Sequence, residues 1–375
     1  MKPEKIGYVE AIALITIVMI NKIILNTPKD IIAKTGPASC LNVIYISIIA
    51  IIIAIVIHKL FKNFPNHDIL DISNFLGGKT LKFLIGAAYI FLLIILTASI
   101  IKSLSETLRT IYFKNSPILY ITLFFIVTSI ICNRYSIKVI AKANLIIAPV
   151  IFLSIMIILA SSIRHFMPQR IFPVLGYGVN ETFFSGLTNI FSFSGLLYLL
   201  FLPPLLDKPD KFKRMSVIAI TISSIYLLLS VACLLLSLSF TMHSDESFSL
   251  YVLTRNLVYG RFIQRVDAIF ILVWIIAILS YINIPISLCI YIFKKLTNIS
   301  DTNSFNYSVN LLILALCIIP VEYAIFVKVL APIVQNYFFV LFFAVSLPIL
   351  ILANLKLIIV KKIRKENLNN CAKIT

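Results

Sequence analysis

Long apolar runs, broken only by short polar stretches, repeat along the whole chain. Helices are expected near 8–26, 39–58, 81–101, 117–133, 143–163, 182–202, 215–240, 265–293, 308–327 and 333–360. A bilayer core takes about 20 apolar helical residues per crossing, so the pattern predicts an all-α integral membrane protein of about ten transmembrane helices. The eighth run is long and contains Pro285, which predicts a kink or an end there. The first run begins MKPEK and resembles a signal peptide, but it has no small-x-small cleavage site and is interrupted by Asn21 and Lys22. It reads as a retained first helix.

Composition sharpens this picture. Apolar residues make up 60% of the 375 and charged residues 13%, with a mean hydropathy of +1.03. A soluble domain of this size needs far more polar surface. No stretch between the runs is long enough for a separate domain. Residues 1–375 therefore read as one polytopic membrane unit, with a short basic tail over 361–375. The net charge of +18 is assigned to cytoplasmic loops rather than to nucleic-acid binding. With both termini on one side, that side collects 21 Lys and Arg against 11 opposite, and Lys22 lies within helix one. The excess predicts cytoplasmic termini. Cys40, Cys132, Cys233, Cys289, Cys317 and Cys371 are dispersed, as are the four histidines, so neither a metal site nor a redox pair is expected. Phosphate loops, zinc-type His-Glu spacing and nucleophile elbows are absent. No catalysis and no cofactor are expected.

Candidate chemistry then falls to polar residues within apolar runs, which are costly in hydrocarbon unless they face a partner or a cavity. In helix one these are Asn21 and Lys22, beside Ile23 and ahead of Asn26-Thr27-Pro28. Lys22 either snorkels to the far headgroups or faces a cavity and meets a carboxylate. In helix six the run Phe191-Ser192-Phe193-Ser194-Gly195 suits a broken membrane helix, although Gly186 and Gly195 equally suit close packing. Helix three carries Thr97 and Ser99 at its centre, then Glu106 and Arg109, whose spacing favours a surface pair over an outer gate. Arg265 and Asp267 mark the entrance to helix eight, and Trp274 lies nearer the interior than an interfacial anchor would. Glu322 and Lys328 are expected at the outer surface.

Helices one and six open two consecutive five-helix halves, about 8–163 and 182–360. Their joint interruption points to a five-plus-five inverted-repeat fold of the LeuT-like, amino acid–polyamine–organocation type. In detail the chain resembles the spore germination permease family, the GerAB-type B subunits of nutrient germinant receptors. The resemblance is carried by Thr27-Pro28-Lys29-Asp30, Phe64-Pro65, Gly77-Gly78-Lys79, Arg170-Ile-Phe-Pro173-Val-Leu-Gly176, Leu202-Pro203-Pro204 and, most specifically, Gln264-Arg265-Val-Asp267-Ala-Ile-Phe270-Ile-Leu-Val-Trp274. It implies a spore inner-membrane subunit that binds a small nutrient, often an amino acid. It also implies signalling to a membrane A subunit and a lipoprotein C subunit. A working amino acid permease is the competing reading, and a structural subunit without ligand is a third. The family commonly carries a Gly-Thr-Gly-like break in helix one where this chain has Asn21-Lys22-Ile23, so either Lys22 supplies a charge in place of that break's backbone or the ligand is not an amino acid.

Overall fold

The computed structural model describes residues 5–25, 27–237, 266–299, 301–319 and 332–371. Among these the regular structure is helical, apart from one parallel bridge between Ile6 and Leu206. Seven helices are long and apolar enough to cross a membrane. Two shorter apolar helices and the 18-residue helix Tyr8–Leu25 bring the set to ten. The protein is an all-α, multi-pass membrane protein.

Helix one is Tyr8–Leu25, followed beyond Asn26 by the short segment Thr27–Thr35. Asn26 itself lies outside the described residues. Helices two to five are Ser39–Phe61, Ile69–Ile111, Ile118–Cys132 and Ile137–Ser162. Helix six is Asn180–Leu200, helix seven Phe212–Ser237, helix eight Val266–Thr297 and helix nine Asn303–Ile318. Helix ten covers 332–371, with a π turn over Val340–Ser346. Arg265, Glu322, Lys328 and the expected ends of helices seven and nine lie outside the described residues.

The largest difference from expectation is helix three, which begins at Ile69 and ends at Ile111 rather than spanning 81–101. Asp68 starts it early: its side chain accepts from the backbone N–H groups of Leu70 and Asp71, and Asp71 returns the bond to complete a capping box. The chain then turns at Gly77 and Gly78, where Gly78 has φ +72°, a conformation glycine adopts without steric cost. At the far end the helix continues because Arg109 pairs with Glu106 at 2.8 Å, the surface pair the spacing predicts. Helix eight runs through Pro285 without ending.

Helix one is buried almost all round, with Leu14, Ile15, Ile17 and Val18 each 2% exposed or less. A helix apolar on every face belongs at the centre of a bundle. It packs against helices five, six, seven and eight, while helix two packs against six and seven, and helix three against four, eight, nine and ten. Several pairs keep their identity when each helix number is moved by five: one with seven becomes six with two, and five with eight becomes ten with three. One–six, two–seven, three–eight and four–nine map onto themselves. One–eight has no three–six counterpart of like extent among the described residues, so the packing matches an exchange of two five-helix halves only in part. Helices four and five expose Phe124, Val127, Ile131, Ile146 and Leu153, the apolar surface that lipid covers.

Both ends of the bundle are tied. On the N-terminal side Ile6 N–H donates to Leu205 O at 2.7 Å, and Asp207 N–H donates to Ile6 O at 3.0 Å. At the opposite end of the bundle, the loop before helix six lies against the end of segment 27–35. A Cβ on Gly176, which has φ +55°, would come 2.1 Å from Thr35 O, and Gly36 lies under the Tyr177 ring. Close by, Asn42 Nδ2 donates to Thr182 O at 2.7 Å and Asn189 Nδ2 to Asn42 Oδ1 at 2.9 Å.

Candidate functional site

Helix six departs from α geometry throughout. It opens with a π turn over Asn180–Phe184 and continues as a 3₁₀ helix, with Phe193 at the non-helical φ −95°, ψ 28°. Runs of 3₁₀ longer than three or four residues are uncommon, and here two such stretches meet at the kink of Phe193 within Ser185–Leu200. Gly195 lets helix one approach, since a Cβ there would meet Met19 Cε at 2.8 Å. Phe193 and Ser194 are buried, and Ser192 Oγ donates to Asn189 O at 2.7 Å.

Lys22 meets this distorted stretch. Helix one keeps its helical backbone through Asn21, Lys22 and Ile23, so its interruption at this point is one of polarity. Lys22 is 9% exposed, and its Nζ donates to Phe191 O at 3.1 Å while sitting 3.4 Å from the centre of the Phe191 ring. Asn21 Nδ2 donates to Ile17 O at 2.9 Å, its Oδ1 has no hydrogen-bond partner, and Ile23 is buried in the core.

Phe191 also lines a cavity of about 370 Å³ at the end of the bundle away from Ile6; it is called the outer cavity below. One wall is segment 27–35, which supplies Thr27, Asp30, Ile31, Ala33 and Lys34. The other is helix six, with Thr188, Asn189 and Ser192, and helix ten adds Gln335. Lys34 Nζ donates to Thr188 Oγ1, which links the walls, and Gln335 Nε2 donates to Thr188 O at 3.1 Å. Among the described residues no ion pair joins Asp30 to Lys34. The Phe191 ring is braced from behind by Phe338, edge-on at 5.2 Å between centroids.

Deeper in the bundle, space runs out. Where Ser194 meets helices one, three, eight and ten, the void is about 10 Å³, no more than one water needs. Thr97 and Ser99 turn back on their own helix, bonding Leu93 O at 2.7 Å and Ile95 O at 2.8 Å. Trp274 is buried in helix eight, and neither it nor those two lines the outer cavity. Of the sequence candidates, Phe191 and Ser192 reach the cavity and Lys22 stands behind Phe191. Asp30, Lys34, Thr188, Asn189 and Gln335 were missed. The i, i+4 spacing of Asp30 and Lys34 was the available signal.

A second polar cluster escaped the sequence reading, at the opposite end. Lys295, in the last turn of helix eight, reaches Asp68 Oδ2 at 2.6 Å and Asp71 Oδ2 at 2.5 Å, and Tyr291 donates to Asp68 at 2.7 Å. Burial lifts the Asp68 carboxyl above the ordinary carboxylate range, while Lys295 draws it down. Asp68 is fully buried, so the cluster fastens helix three to helix eight. Among the described residues no group of His, Cys, Asp and Glu is arranged to hold a metal ion.

Comparison with known proteins agrees with this architecture. Residues 5–325 match the family described as spore germination protein. Over 224 residues the chain is 25% identical to spore germination protein KB of Bacillus subtilis (strain 168), which covers 58% of this chain and 59% of that protein.

Proposed function

This chain belongs to the spore germination protein family, and from that premise we propose that it is the nutrient-sensing B subunit of a spore germinant receptor. In this reading it spans the spore inner membrane with both termini in the cytoplasm, binds a small germinant, and signals to a membrane A subunit and a lipoprotein C subunit. The match to spore germination protein KB supports the receptor role.

The observation that carries the ligand half of the reading is the outer cavity with Asp30 and Lys34 on one helical face. Its volume of about 370 Å³ falls in the range of about 300–1,000 Å³ usual for small-molecule sites. The two opposite charges suit an amino acid zwitterion, with its ammonium toward Asp30 and its carboxylate toward Lys34. Thr188, Asn189 and Ser192 supply neutral hydrogen bonds, and Ile31, Ala33 and Phe191 an apolar wall for the side chain. A sensor needs only two states of different ligand affinity, and nothing in the cavity calls for a reaction.

The test uses the full chain in lipid nanodiscs. Thermal-shift and calorimetric titration with each common amino acid, its amide and its N-acetyl form should show binding of at least one intact zwitterion and loss with either blocked form. Asp30→Asn and Lys34→Met should each weaken it about ten- to hundredfold, the worth of a charge-assisted hydrogen bond of roughly 1.5–3 kcal/mol. Spores carrying either variant should need correspondingly more nutrient. Accumulation of labelled amino acid in proteoliposomes would favour the permease reading. Binding unaffected by both variants would remove this cavity from the account.

A further inference from the structure

Lys22 is a buried charge whose place the function above does not explain. Lys22 stands in the last turn of helix one and is 9% exposed, and a cation held inside a membrane bundle is costly unless its surroundings compensate. They do so without an acid, because among the described residues no carboxylate lies within ion-pairing distance of Lys22. The ammonium is held instead by the Phe191 carbonyl at 3.1 Å and by the Phe191 ring face at 3.4 Å from its centre. A carbonyl oxygen and an aromatic face are both cation-binding groups, and they lie two residues before the irregular backbone of Phe193. In transporters with discontinuous helices, irregular backbone of this kind holds the coupled Na⁺ or H⁺.

We propose that Lys22 is a tethered internal cation. It occupies the position that a dissolved monovalent ion would have to fill, and it fastens helix one to the bent helix six. Because Phe191 also lines the outer cavity, Lys22 sets the shape of that cavity from behind and acts as a positioning residue. The junction therefore assembles without Na⁺ or K⁺. This inference goes beyond the sensing role and holds whichever molecule the cavity takes.

The experiment needs no nutrient ligand. The full chain in nanodiscs is unfolded thermally in equimolar sodium, potassium, choline, propylammonium or tetramethylammonium chloride. Wild type should have the same midpoint in all five, and Lys22→Arg should stay close to it. Lys22→Ala should unfold at a lower temperature in choline and recover in propylammonium, which can donate an N–H to Phe191 O. It should not recover in tetramethylammonium, which carries the charge but has no N–H. Lys22→Met restores the bulk without the charge and should remain lowered. A wild-type midpoint that rises in sodium or potassium would overturn the inference. So would Lys22→Met unfolding with wild type, or Lys22→Ala responding alike to all five salts. None of these results touches the zwitterion titration, so the two readings fail separately.

Discussion

At the scale of single residues, contact geometry separates glycines that composition treats alike. A Cβ on Gly186 would lie 2.3 Å from Asn42 Nδ2, an atom already fixed on Thr182 O. Gly186→Ala should push that amide away and leave buried polar groups unpaired, a loss of about 1–3 kcal/mol readable as a lower unfolding midpoint. Gly78→Ala meets nothing within 4 Å, but its φ of +72° and ψ of −166° fall in a region that essentially only glycine adopts, so backbone strain of about 1–3 kcal/mol should lower its midpoint without any clash. An unchanged midpoint in either variant would contradict its account. The sequence made Lys22 and Phe191 stand out because each is unusual where it sits. It gave no sign that they touch, since the contact joins residues 169 positions apart. Asp30 and Lys34 look in sequence like ordinary helix-end charges, and only the fold sets them against helix six.

At the scale of elements, apolar runs were enough to find the ten helices, because hydrocarbon demands continuous apolar surface and internal backbone bonding. They were poor at ends governed by polar side chains. The early start of helix three depends on the Asp68 cap and on Lys295 reaching back from helix eight, neither of which leaves a hydrophobic trace. Asp68→Asn keeps a good capping residue but removes the charge, whereas Lys295→Met leaves Asp68 buried without its partner. The second variant should be the more damaging, by up to about 3–5 kcal/mol. Comparing the two by thermal unfolding checks the order, and a milder Lys295→Met would show that Asp68 is satisfied by Tyr291 alone. Helix six illustrates the opposite case: its Ser-Phe-Ser-Gly run announced an irregular backbone, and the irregularity is there at Phe193.

At the scale of the whole molecule, helix count and the paired interruptions of helices one and six are the sequence's pointers to two five-helix halves, since no repeat identity can be seen. Two chains of different side chains can share a fold because helix pairing depends on shape and polarity more than on identity. The proposed orientation puts both termini in the cytoplasm. Single cysteines in a Cys-free background should then label in opposite senses: Lys208→Cys from the cytoplasmic face and Gln169→Cys from outside. Both positions are exposed. Labelling of Lys208→Cys from outside would reverse the orientation and with it the side from which the cavity is reached.

The contact of Gly176 with Thr35 is backbone against backbone, with no side chain between them to yield. Segment 27–35, one wall of the cavity, is thereby set directly against the loop that bears Phe172, Val174 and Tyr177, all more than half exposed. If an occupant shifts that wall, the loop should shift with it, and a fluorophore on the loop should register the filling of a pocket it never touches.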